Sequence, residues 1–101
     1  MKIRIKGQSL RMRLSDGEVN HLIEGATLTE TTIFSPTARL TWSVRPQGDG
    51  FGIEFGDNAM QINIPHDVVK QWAISPTLSL GREFSVGAGL TLKLSIEKDL
   101  D

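Results

Sequence analysis

The sequence predicts an α+β fold: an antiparallel sheet of six to seven strands with two short helices packed on one face. Three observations carry this. Apolar and polar residues alternate in several short runs, as in strands with one buried face. Clusters of Gly, Pro, Asn and Asp separate those runs. Two stretches switch to helical spacing behind recognisable start signals. A small, partly closed β-barrel with two helices is the alternative, because many short successive strands can curl. The 101 residues suit a single α+β domain over 1–101, large enough for one modest core.

The opening stretch, MKIRIKGQSLRMRLS, holds two alternating runs. Ile3 and Ile5 alternate with Lys2, Arg4 and Lys6, and Leu10, Met12 and Leu14 alternate with Arg11 and Arg13. Odd positions are apolar before Gly7 and even positions after it. A regular strand cannot change parity, so the chain either turns at Gly7-Gln8 or carries a bulge there. A type II′ hairpin, the favoured reading, sets Ile5 opposite Leu10 and Ile3 opposite Met12. It also sets Arg4 opposite Arg11 and Lys2 opposite Arg13, and opposed like charges destabilise a sheet. Either way, five cations fall within the first thirteen residues.

Ser15 and Glu18 have capping-box spacing, and Val19, Leu22 and Ile23 form an apolar stripe that ends at Gly25, predicting a helix over 16–24. Residues 27–34, TLTETTIF, are rich in β-branched side chains and read as a strand. RLTWSVR over 39–45, then Phe51, Ile53 and Phe55, then Met60, Ile62 and Ile64 give three more. Paired antiparallel in sequence order, they set Leu40, Phe55 and Met60 abreast, then Trp42, Ile53 and Ile62, then Val44, Phe51 and Ile64. Arg39, Thr41, Ser43, Arg45, Glu54, Gln61 and Asn63 then share the outer face. Pro65 suits a helix start, with Val68, Val69, Trp72 and Ala73 inward and Ser75-Pro76 as its stop. A strand around Leu78–Val86, interrupted by Gly81, precedes a clear one through Leu90, Leu92, Leu94 and Ile96. The last residues, KDLD, read as a loose tail. No internal repeat is legible.

Composition excludes several functions. A net charge of −1 argues against a general polyanion binder such as a nucleic-acid-binding domain. The chain has no cysteine, so disulfide scaffolds, thiolate zinc sites and cysteine nucleophiles are ruled out, and a cytoplasmic location fits. It shows neither a secretory h-region nor an apolar run of membrane-spanning length, so no membrane role is expected.

The motifs MKIRIKGxSLRxRL, TTIF, RLTW, IPxxxxxxW and LxIEKD together resemble a small family of uncharacterised bacterial proteins of unknown function. The resemblance covers nearly the whole chain, and the opening motif is its most specific part. It implies a bacterial, single-domain protein and supplies no catalytic residues.

One surface stands out for binding: Lys2, Arg4, Lys6, Arg11 and Arg13, able to hold an anion or an acidic partner. The bland reading is a solvated sheet face, paired with Glu97 and Asp99 on a neighbouring strand or with Glu18 and Glu24, whose charge discourages edge-to-edge aggregation. His21, Glu24, His66 and Asp67 are ligand-type residues, but nothing in their spacing makes three or four converge as zinc requires. No nucleophile elbow, HExxH or phosphate loop is present, so no catalytic residue, metal or cofactor is assigned. Val86-Gly87-Ala88-Gly89 contains a lone GxG that precedes a strand and reads as a turn. Trp42 and Trp72 read as core. The leading expectation is a non-catalytic interaction module, with a protein partner or a homo-oligomer formed through an edge strand. The alternative is a small enzyme or ligand-binding domain with a cleft near His21 or His66.

Overall fold

Gly7 adopts a φ of +55°, which glycine takes at no steric cost, and closes β1 (Lys2–Lys6) onto β2 (Ser9–Leu14) as a two-residue hairpin. The turn is the type II′ form, and the register matches the hairpin expectation: Ile5 faces Leu10, Ile3 faces Met12, Arg4 faces Arg11 and Lys2 faces Arg13. Ser15 then starts α1 (Asp16–Ile23) with a complete capping box: its hydroxyl accepts from Glu18 N–H while Glu18 accepts from Ser15 N–H. After α1 come β3 (Leu28–Ser35), β4 (Ala38–Arg45), β5 (Gly52–Gly56), β6 (Ala59–Asn63), α2 (His66–Ile74), β7 (Ser79–Gly87) and β8 (Leu90–Lys98). This computed structural model describes residues 1–99.

These elements correct the expectation of one antiparallel sheet. Among the described residues there are eight strands in two four-stranded sheets, ordered β1-β2-β8-β7 and β3-β4-β6-β5, and both are mixed. The protein is mostly β, and neither sheet closes into a barrel. At the centre of the first sheet β2 runs parallel to β8; at the centre of the second β4 runs parallel to β6. The helices do not simply cover one sheet face; they pack on each other. The central meander is also corrected. β6 inserts between β4 and β5, so the true layers are Trp42, Met60 and Phe55, then Val44, Ile62 and Ile53. The Phe55–Met60 and Ile53–Ile62 pairs are those expected, whereas β4 pairs with β6 instead of β5 and sits two residues off the expected level, with Trp42 and not Leu40 beside Met60. Gly81 does not interrupt β7, and Lys98 ends β8. Of the expected KDLD tail, Asp99 donates its N–H to Leu14 O at 2.7 Å, and Leu100 and Asp101 lie outside the described residues.

The topology contains a repeat that the sequence conceals. Residues of β1, β2 and α1 correspond in order to those of β5, β6 and α2, and β3-β4 corresponds to β7-β8. Exchanging the two ββαββ halves exchanges the two sheets. The registers obey this residue by residue. Ile3 facing Met12 becomes Ile53 facing Ile62, and Leu10 beside Leu94 becomes Met60 beside Trp42. The bulge between Ile33 and Ser35 recurs between Ser85 and Gly87. Thr41 N–H donates to Asn58 O at 3.0 Å, and its counterpart Lys93 N–H donates to Gln8 O at 2.8 Å.

The core repeats too. Leu10, Met12, Leu14, Val19, Leu22, Trp42 and Val44 are buried, and so are their counterparts Met60, Ile62, Ile64, Val69, Trp72, Leu94 and Ile96. Leu28 completes this one cluster, with its counterpart Leu80 packed against it. Trp42 and Trp72 are therefore core, as expected. Each stands where the other half has a leucine, and neither indole N–H has a hydrogen-bond partner among the described residues, so both act as apolar volume. Lys98 closes the end of α2, donating to Ser75 O at 2.7 Å with its Nζ 5.4 Å from the Trp72 ring centroid.

Candidate binding face

Strand alternation turns Leu10, Met12, Leu14, Leu94 and Ile96 inward, so their neighbours point out of the first sheet. The register orders that outer face in three rows. One holds Lys2, Arg13, Glu97 and Ser79; the next Arg4, Arg11, Ser95 and Gly81; the third Lys6, Ser9, Lys93 and Glu83. All five cations singled out in the sequence share this face, joined by Lys93 from a strand far along the chain.

Two shallow recesses flank the Arg4–Arg11 pair. One, of about 190 Å³, is lined by Lys2, Ile3, Arg4, Arg11 and Arg13. The other, of about 240 Å³, is lined by Arg4, Lys6, Ser9 and Arg11. The expected acids reach part of the face. Glu97 lies 3.3 Å from Arg11 Nε and 3.5 Å from Arg13 Nη2, and Asp99 lies 3.0 Å from Lys2 Nζ. Such partly exposed pairs contribute about 0–1 kcal/mol each. Among the described residues Arg4 and Lys6 form no ion pair. Glu18 is engaged elsewhere, and Glu24 serves as the C-cap of α1.

Glu18 and Glu30 clamp the Met1 ammonium at 2.5 and 2.8 Å, fixing the start of β1. Burial pushes the Glu18 carboxyl up, but the bonds from the ammonium and from Ser15, with the ammonium's charge, outweigh it and hold its pKa below the ordinary value. Burial likewise pushes the ammonium down, and its two carboxylate partners outweigh that, leaving its pKa raised.

The corresponding face of the second sheet has the same backbone and different chemistry. Gly52, Glu54, Gly56, Gln61 and Asn63 stand where Lys2, Arg4, Lys6, Arg11 and Arg13 stand in the first. Arg45 takes the place of Glu97 and donates to Asn63 Oδ1 at 3.0 Å. One sheet thus carries an acid among cations, the other a cation beside neutral amides with an acid, Glu54, in the row next to it.

The histidines lie apart from this face. His66 Nε2 donates to Ile23 O at 2.6 Å, joining the start of α2 to the end of α1, and His21 is exposed on α1. Among the described residues no three His, Asp or Glu side chains gather in a metal-holding group. Lys93 is the face residue that sequence reading missed. Its place between the inward Leu92 and Leu94 signalled an outward side chain, on the same strand as the Glu97 expected beside the cations.

No helix among the described residues is long and apolar enough to cross a membrane. The model of the Family of unknown function (DUF7009) matches residues 1–101, and the chain belongs to that family. Neither the curated proteins nor the solved structures give a match.

Proposed function

We propose that this DUF7009 chain is a non-catalytic binding module whose basic face, centred on Arg4 and Arg11, takes the carboxylates of an acidic protein partner. The contrast between the two corresponding faces carries the reading. Both sheets share a register and a core pattern, so the apolar positions answer to the fold. The cations do not: the second sheet forms with Gly, Glu, Gln and Asn at the same places. Setting Arg4 opposite Arg11 costs stability, and recognition of an anion is what that cost can serve.

Acidic protein suits the face better than nucleic acid. Glu97 and Asp99 interrupt the positive field, and no aromatic side chain in the three rows offers a stacking platform. With a net charge of −1, the remainder of the chain is acidic on balance and disfavours such a partner elsewhere. The reading takes residues 1–101 as one domain, and the lack of cysteine and the motif resemblance support a bacterial, cytoplasmic setting.

The test is titration of a synthetic glutamate-rich peptide into the wild-type protein and into Arg4→Glu/Arg11→Gln, which installs the residues of the other face. The variant is expected to keep its circular dichroism spectrum and to lose at least about tenfold in affinity. Equal affinity for the two proteins overturns the reading.

A further inference from the structure

Resting on that reading, we infer that the acidic partner docks as an added strand on the open edge of β1, its carboxylates over the cations and its apolar side chains beside Ile3 and Ile5. β1 ends the strand order of its sheet, and among the described residues nothing pairs with its far edge. The two-residue turn closes on Lys6 and Ser9, which makes that a hydrogen-bonded pair, and the bonding then recurs at Arg4 and Lys2. The backbone groups of Ile3 and Ile5 therefore aim at the open edge, ready to accept a strand.

Side chains specify which strand. A new neighbour sets alternate residues beside those of β1 on each face. On the outer face they meet Lys2, Arg4 and Lys6. On the inner face they meet Ile3, already packed on the core, and Ile5, which is 60% exposed. The complementary segment alternates acidic and apolar residues over about five positions. The same charges reject a second copy, because two β1 edges paired together set cations against cations. The other edge strands lack this code. β5 turns Gly52, Glu54 and Gly56 outward, β7 turns Ser79, Gly81 and Glu83, and β3 turns Thr29 and Thr31.

The experiment titrates the full chain with the peptide Glu-Val-Glu-Val-Glu-Val-Glu and with its block isomer, four glutamates followed by three valines. Affinity and the hydrogen-exchange rates of the Ile3 and Ile5 amides are read together. The alternating peptide is expected to bind at least about tenfold more tightly than the isomer and to slow both amides. N-methylation of one alternate set, the valines or the glutamates, removes binding and N-methylation of the other set spares it, since a strand points alternate N–H groups to opposite edges. Equal binding of the two isomers with unchanged exchange at Ile3 and Ile5 overturns strand addition and leaves the acid-binding face standing. Failure of both peptides to bind removes the reading on which it rests. Tighter binding of a single-stranded oligonucleotide than of either peptide overturns both.

Discussion

The Arg82 guanidinium lies 4.2 Å from the centroid of the Phe51 ring. The other half of the molecule has its counterpart, in which Glu30 holds the Met1 ammonium at 2.8 Å. In each half, an ionic side chain on the inner face of an edge strand meets the residue that precedes a hairpin. The place is the same and the sign is reversed. Phe51→Leu is expected to lower the unfolding free energy by about 1 kcal/mol, read by urea denaturation, and to cost little once Arg82 is already Met. A Phe51→Leu cost that is undiminished in the Arg82→Met background shows the contact to be packing alone.

Stability should fall at both ends of the pH range through one cluster. The Glu18 pKa is lowered in the folded state, so its contribution is present above the ordinary carboxylate pKa and is lost as pH falls through the folded value. The Met1 ammonium is raised above its ordinary 8.0, so its contribution is complete below that value and is lost as pH rises through the folded one. Glu18→Gln is expected to flatten both limbs of the stability profile and, by weakening the capping box, to cost about 1 kcal/mol near neutrality. Urea midpoints measured across pH check this, and parallel wild-type and variant profiles contradict it.

The repeat makes a prediction about folding. Each sheet takes one hairpin from each half, so neither half can complete a sheet alone. Fragments 1–49 and 50–101 are expected to be largely unstructured separately and to recover the native spectrum at a 1:1 ratio. Independent folding of either fragment contradicts the interleaved arrangement.

Much of the local structure was legible because local rules decide it. Gly7-Gln8 turned the parity, Ser15 and Glu18 capped a helix, and the alternation through Leu90–Ile96 marked a strand. Pairing between distant strands was legible only where opposite charges suggested it, between the basic strands and the strand of Glu97. A meander is the shortest way to connect β4, β5 and β6, and only the finished sheet shows β6 seated beside β4. The repeat escaped notice because the core preserves volume and polarity rather than identity. Leu22 corresponds to Trp72, Trp42 to Leu94 and Met12 to Ile62, and the connection from Val69 to Leu80 is two residues longer than that from Val19 to Leu28. The basic cluster could be read from its residues. Its meaning could not, because that rests on comparison with a second face which appears only once the halves are superposed.

The central claim is that the outer face of the β1-β2-β8-β7 sheet, and not its counterpart, is the one that binds. Mapping amide shifts in a nitrogen-15 spectrum during titration with the alternating glutamate-valine peptide tests it most directly. The account predicts shifts at Lys2–Arg13 and around Lys93, weakening as salt is raised, with Gly52–Asn63 unmoved. Shifts centred on Gly52–Asn63, or spread evenly over both sheets, would contradict it.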